Sequence, residues 1–271
     1  MNILETFIKL TSSTYPHGYE SELEQFLPNG YKIDMYGNYY LKIGDSDTMF
    51  CCHLDTFGRE KISTNHIIDD NYIKSDGNTI LGADDKSGMT ILLYMIHKKV
   101  PGLYYFFIGE EVGGIGSSSI SKHFEKFLNI NKCISFDRRG LNSVITHQSL
   151  TRTCSDEFAS ELCNILNLNE LNIDFNYIKD DKGIYTDSLE FSYFIPECTN
   201  ISVGYYNEHT KDEKQDIDHL IKLCMVCSII DWDIIGVYRK FEDCIVEEYE
   251  SNTYDYLVQK TTKNKRSKKY K

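Results

Sequence analysis

Apolar residues recur at helical spacing at Ile3, Phe7 and Leu10, so residues 2–12 predict an amphipathic opening helix. Ser21, followed by Leu23, Glu24, Phe26 and Leu27, has the form of a capping box and predicts a second helix. Residues 31–43 alternate apolar and polar around Gly37-Asn38 and read as two strands joined by a turn, and a hairpin-like stretch follows at 67–80. The runs 49–52 and 103–108 are apolar throughout, the signature of strands buried on both faces, and 132–136 and 200–204 read as further short apolar strands. Helical patterning covers 88–97, 117–127, 158–166 and 217–235. Doubly buried strands alternating with helices predict an α/β fold whose sheet is covered on both sides.

Polar residues cluster where these strands end. Five segments follow one another: His53-Leu54-Asp55, Gly82-Ala83-Asp84-Asp85-Lys86-Ser87-Gly88, Gly109-Glu110-Glu111-Val112-Gly113-Gly114, Phe136-Asp137 and Glu208-His209-Thr210. Four of them sit just past the carboxyl end of a predicted buried strand, the edge at which open α/β sheets build sites. A His-x-Asp after an apolar strand suits a metal-binding imidazole with a carboxylate that sets its orientation. The carboxylate of an Asp can bridge two divalent ions through its two oxygens. Adjacent acids at a buried strand end repel each other and lose hydration, a combination most easily kept beside a cation. One Glu of such a pair can bind metal while its neighbour works as general base. Two imidazoles and three carboxylates make a nitrogen- and oxygen-rich donor set suited to zinc, with manganese or cobalt as alternatives. His219 is a rival ligand, but its place inside a predicted helix after Asp216 and Asp218 suggests a surface or capping role. Arg138 and Arg139 follow Asp137 and could receive a substrate carboxylate.

Composition narrows the classes. A formal net charge of -12 over 271 residues disfavours nucleic acid as a partner. No apolar run approaches a membrane span, and the opening Met1-Asn2-Ile3-Leu4-Glu5 lacks the basic and apolar regions of a secretory signal. Nine Cys, an odd number without a secretory signal, predict reduced thiols and a cytoplasmic setting; Cys51 and Cys52 read as small apolar residues of a buried strand. The end of the chain is rich in Lys, and residues 259–271 read as a basic, disordered tail behind a single domain, 1–258.

The order of these segments resembles the zinc-dependent exopeptidase superfamily. Ile80-Leu81-Gly82-Ala83-Asp84-Asp85-Lys86-Ser87-Gly88 is similar to the tripeptidase T version of the motif, as are His53-Leu54-Asp55-Thr56 and Gly109-Glu110-Glu111-Val112-Gly113. Thr14-Tyr15-Pro16-His17-Gly18-Tyr19-Glu20 resembles an entrance loop of that family, and Thr186-Asp187-Ser188 a substrate-side loop. The resemblance implies a phosphorylase/hydrolase-like, three-layer α/β/α sandwich with a mixed, mostly parallel central sheet. It implies two zinc ions, with His53 on one, Asp84 bridging both through a segment with a cis peptide to Asp85, Glu111 and Asp137 completing one site each, and His209 completing the second. Asp55 would orient His53, and Glu110 would be the base that activates a metal-bridged water. Asp137 and His209 stand too close in sequence for the lid or dimerisation domain that tripeptidase T inserts there, so the chain is expected to resemble the compact aminopeptidases. The expected activity is cleavage of amide bonds in short peptides from the amino end. The alternatives are a deacylase or other amidohydrolase acting on a non-peptide amide, and a non-catalytic peptide-binding module. The oligomeric state is left open.

Overall fold

The computed structural model describes residues 1–244; the expected tail at 259–271 and the domain limit at 258 lie outside the described residues. Six α-helices and fourteen strands are described. The helices are α1 (Ile3–Leu10), α2 (Ala83–His97), α3 (Ile115–Ile120), α4 (Asp156–Asn167), α5 (Ile217–Cys227) and α6 (Phe241–Cys244). The strands are β1 (Lys32–Ile33), β2 (Tyr39–Ile43), β3 (Thr48–His53), β4 (His66–Asp69), β5 (Tyr72–Ser75), β6 (Gly102–Phe107), β7 (Lys132–Arg138), β8 (Ser143–Ile145), β9 (His147–Gln148), β10 (Thr151–Arg152), β11 (Ile178–Asp180), β12 (Glu197–Ser202), β13 (Tyr205–Tyr206) and β14 (Lys214–Asp216).

Eight strands form the main sheet in the order β1-β2-β6-β3-β7-β12-β8-β11. Its centre, β6-β3-β7-β12, is parallel throughout, and antiparallel pairs occur only towards the sides. Side chains alternate across these central strands and enter two separate cores. Phe50, Cys52, Tyr104, Phe106, Ile134 and Phe136 pack into the core that holds α1, α2, α4 and α5. Met49, Cys51, Tyr105, Phe107, Cys133 and Cys198 pack into a smaller core with Ile120 of α3, Phe127 and Phe191. Because helices cover both faces, both alternating sets are apolar, which is why these strands read as continuous apolar runs. A second sheet, β13-β14-β5-β4, lies beyond the main one. All nine Cys are free and buried, so nothing in the fold is stapled by a disulfide. Among the described residues no helix is long and apolar enough to cross a membrane.

Five local expectations are corrected. The capping box at Ser21 opens no α-helix: Glu20–Phe26 is a 3-10 helix without a side-chain cap. Its first residue, Glu20, is buried and turns its carboxylate back to His17 Nδ1 (2.7 Å) and the N–H of Gly18 (2.6 Å). The helix expected over 117–127 is split into α3 and a 3-10 turn, Phe124–Lys126. The helix expected over 217–235 ends at Cys227. Beyond it Asp231 caps a 3-10 turn, which swings Trp232 onto Phe50 and Phe136 in the core. The last strand of the sheet begins at Glu197, three residues before the apolar run, because buried polar residues start it; the Glu197 carboxylate accepts bonds from Ser155, Tyr238 and Arg239.

His219 is the fifth correction, for it is buried rather than at the surface. Its backbone N–H bonds the Asp216 cap, Nε2 lies 3.0 Å from the Tyr177 hydroxyl, and Phe175 meets the ring edge-on. Burial holds the imidazole neutral and pushes its pKa down to about 4. The unfolded chain takes up that proton near pH 6.5, so the neutral ring's contribution is complete above 6.5 and is lost as pH falls towards 4. The loss amounts to about 3 kcal/mol by that linkage. Urea midpoints for His219→Gln and the wild-type chain should therefore converge between pH 6.5 and 4; parallel curves would show that the ring carries no such charge penalty.

Candidate metal centre

The carboxyl ends of β3, β6 and β7 converge with the start of α2 and the turn after β13. His53 closes β3 and is buried. Its Nε2 lies 3.0 Å from Asp84 Oδ1 and 3.7 Å from Asp137 Oδ1, while Nδ1 lies 3.0 Å from the Asp55 carbonyl. His209 is at positive φ (64°) in the turn after β13, where its Nε2 lies 3.1 Å from Asp84 Oδ2 and 2.9 Å from Glu111 Oε1. Two sets of donor atoms result, His53/Asp84/Asp137 and Asp84/Glu111/His209, each gathered within 4.8 Å. Asp84 belongs to both and turns one oxygen to each imidazole. The five residues expected to bind metal are thus brought together.

Local chemistry explains how each is held. Asp84 and Asp85 depart from helical geometry at the head of α2, with a cis peptide bond between them. Asp85 is buried and bonds the N–H of Gly88 (2.9 Å) and of His53 (3.3 Å), pinning α2 to the end of β3. Gly88 is required there, because a Cβ would come within 2.3 Å of the Phe136 carbonyl and 2.6 Å of the Asp85 carboxylate. The Lys86 ammonium donates to the Leu54 carbonyl from a fully buried position. Asp55 accepts the N–H of Glu110 (3.0 Å) and of Glu111 (3.1 Å), and its Oδ1 stands 3.5 Å from His53 Nδ1. Asp55 therefore couples the His53 loop to the Glu110-Glu111 turn, and the nearer partner of the imidazole is its backbone carbonyl. Glu110 lies outside both donor sets and lines the cleft.

Three supporting residues were not singled out from the sequence. Glu213 is buried and accepts the N–H of Gly82 (2.8 Å) and Asp84 (3.1 Å), fixing the loop that carries the shared carboxylate. Asp212, three residues beyond His209, is exposed. The Tyr205 hydroxyl donates to Asp137 Oδ1 (3.1 Å), and Phe57 stacks on the His209 ring at 4.6 Å. No local pattern marks Glu213, which precedes the all-polar β14, and all three contacts join segments far apart in sequence. Thr186, expected in a substrate-side loop, donates to Asp137 Oδ2 (2.6 Å).

Charge is out of balance in this cleft. Burial pushes Glu110 up to about 10, opposed by His53 and reinforced by Asp137, Asp187 and Asp84. Burial likewise raises Asp137 to about 6 and Glu213 to about 7. The two imidazoles are driven the other way: His209 rises to about 10 through its bonds to Asp84 and Glu111, and His53 rises despite burial because Asp137, Asp55 and Asp84 surround it. Such crowding of buried carboxylates favours a bound cation. The donors, imidazole nitrogen and carboxylate oxygen in two sets of three, fit zinc ions that keep a position open for substrate. A third group, His17, Glu20 and Asp55, is spent on internal bonds. The cleft over the two sets encloses about 200 Å³ and is lined by Asp84, Glu110, Asp137, Arg139, Tyr185 and His209 among others.

No protein-family model matches the chain. No curated protein sequence matches it. Solved structures do. Aminopeptidase PepT from Bacillus cereus superposes with a TM-score of 0.66 at 17% identity, covering 83% of this chain and 96% of the other. A tripeptidase from Staphylococcus aureus gives 0.66 at 17%, covering 84% and 96%. The TET1 peptidase of Pyrococcus horikoshii, which can assemble into a tetrahedron or a large octahedral shell, gives 0.65 at 15%, covering 84% and 98%. At such identities the likeness is one of fold, and this chain shares its fold with these peptidases.

Proposed function

We propose that the chain is a two-zinc peptidase that removes residues from the amino end of short peptides. The observation that carries this reading is the double use of Asp84, whose Oδ1 lies 3.0 Å from the His53 imidazole while Oδ2 lies 3.1 Å from that of His209. His53, Asp84 and Asp137 would hold one ion, and Asp84, Glu111 and His209 the other. When bound, zinc supplies Lewis acidity towards the scissile carbonyl and towards water. The charge of bound cations would draw the raised Glu110 pKa back down, so that Glu110 takes a proton from the attacking water and returns it to the leaving amine. Asp55 keeps Glu110 in place through the backbone N–H it accepts, and Glu213 and Thr186 hold Asp84 and Asp137 in register. Tyr205 donates to Asp137 and helps to hold its carboxylate in one orientation.

The test is elemental analysis of the purified protein together with its products from a peptide library, with and without a chelator. Two zinc ions per chain and chelator-sensitive release of amino-terminal residues are expected. A metal-free protein that still cleaves peptides, or a metal-loaded one that cleaves only non-peptide amides, overturns the reading. Phe57→Ala should weaken zinc binding about tenfold, since the ring stacks on His209 and outer-shell partners of a ligand are worth that much. Zinc titration against a competing chelator measures it, and an unchanged affinity would leave Phe57 without a positioning role.

A further inference from the structure

Two arginines follow the end of β7 and have different fates. Arg138 also lines the cleft but is buried, with Nη2 held 3.2 Å from the Lys182 carbonyl and 3.5 Å from Asp180 Oδ2 while its Nε has no partner. The Arg139 side chain is 58% exposed, and its Nη1 lies 3.0 Å from Glu208 Oε1. Arg139 and Glu208 line the 200 Å³ cleft over the metal-binding residues, and they also line a second hollow of about 630 Å³ together with Tyr206, Asn207, Thr210 and Asp212. The ion pair is therefore the divide between the two spaces. The inner cleft falls below the roughly 300 Å³ at which small-molecule sites begin, so it takes only part of a peptide. The remainder has to pass Arg139 to reach the outer hollow.

Charge decides what can pass. On the wall of the inner cleft Asp84, Asp137 and His209 belong to the donor sets and Glu110 to the reaction, which leaves the Arg139–Glu208 pair, beside the buried Arg138, as the charged group there that can meet a substrate end. The Arg139 guanidinium is the exposed cation on that wall, and Glu208 takes one of its nitrogens, while the group carries five N–H donors in a fork suited to a carboxylate. We infer that Arg139 receives the free α-carboxylate of a di- or tripeptide whose other end lies over the metal-binding residues, so that short peptides with an unblocked carboxyl end are selected. This rests on the peptidase reading above for the orientation of the peptide, though not for the contact itself.

Binding and turnover separate the two ideas. Calorimetry on zinc-loaded Glu110→Ala protein with Leu-Gly-Gly and with its carboxyl-terminal amide reads the contact without hydrolysis. The free acid should bind about ten- to a hundredfold more tightly than the amide, the usual worth of a charge-assisted bond. Adding Arg139→Gln should abolish that preference and leave the amide within about twofold, and Arg139→Lys should restore part of it. Equal binding of acid and amide, a parallel loss of both in Arg139→Gln, or no binding of either at millimolar concentration overturns the inference. If the wild-type chain cleaves acid and amide equally well, the peptidase reading stands and the inference falls. If it cleaves neither, yet the acid preference in binding depends on Arg139, the contact stands and the peptidase reading falls.

Discussion

Glu110→Ala should bind as much zinc as the wild-type chain and lose about two to four orders of magnitude in kcat, the usual worth of a positioned general base. The expectation follows from where Glu110 stands. It lines the cleft but belongs to neither set of donor atoms, so its removal leaves His53, Asp84, Asp137, Glu111 and His209 untouched. Its backbone is fixed independently of its side chain, by the bond from its N–H to Asp55 Oδ1. The carboxyl is also under strain from burial and from Asp137, Asp187 and Asp84, so the metal-free variant should be no less stable than the wild-type chain. Zinc stoichiometry and peptide turnover on the same preparation decide the matter. A zinc-loaded Glu110→Ala protein with near-normal turnover would remove Glu110 from the reaction.

Asp84→Ala should act at the metals themselves. The substitution takes an oxygen from both donor sets at once, leaving His53 with Asp137 and His209 with Glu111. Zinc content should fall from two per chain to below one, and activity should fall beyond detection. Stability should change in step. A ligand at a hundred times its Kd adds about 2.7 kcal/mol to a folded protein, so zinc should raise the melting temperature of the wild-type chain and not that of Asp84→Ala. Asp84→Asn keeps the shape of the side chain and loses its charge, and should behave like the Ala variant. Two zinc ions retained by either variant would rule out a shared carboxylate.

The parts of this centre differ in how visibly the sequence announces them. His53, Asp84, Glu111 and Asp137 stood out because each breaks an apolar pattern near a buried strand end or at the head of an apolar helix, where an acid or an imidazole has no hydrophobic reason to be. Glu213 and Tyr205 did not stand out, because an acid ahead of a short polar strand and a tyrosine that opens another have ordinary uses. Their importance is made by contacts to Asp84 and Asp137, more than sixty residues away in each case. His219 was read as a surface or cap residue because its neighbours Asp216 and Asp218 are polar, yet the packing of Tyr177 and Phe175 over it creates a dry site. The same holds for the buried polar start of β12, where Ser155, Tyr238 and Arg239 arrive from distant segments to satisfy Glu197.

Hydrophobic periodicity by itself determined the α/β class, the doubly covered centre of the sheet and the order of the polar segments at its edge, because burial on two faces leaves a local mark on every residue of a strand. Tertiary structure alone decided that Asp84 turns one oxygen to each of two imidazoles, that Glu213 holds its loop, and that Arg139 stands between two hollows. Those are distances between side chains brought together by the crossover of β3, β6 and β7 and by the return of the chain after β12. A distance of that kind is a property of the folded path, and local sequence carries no term for it.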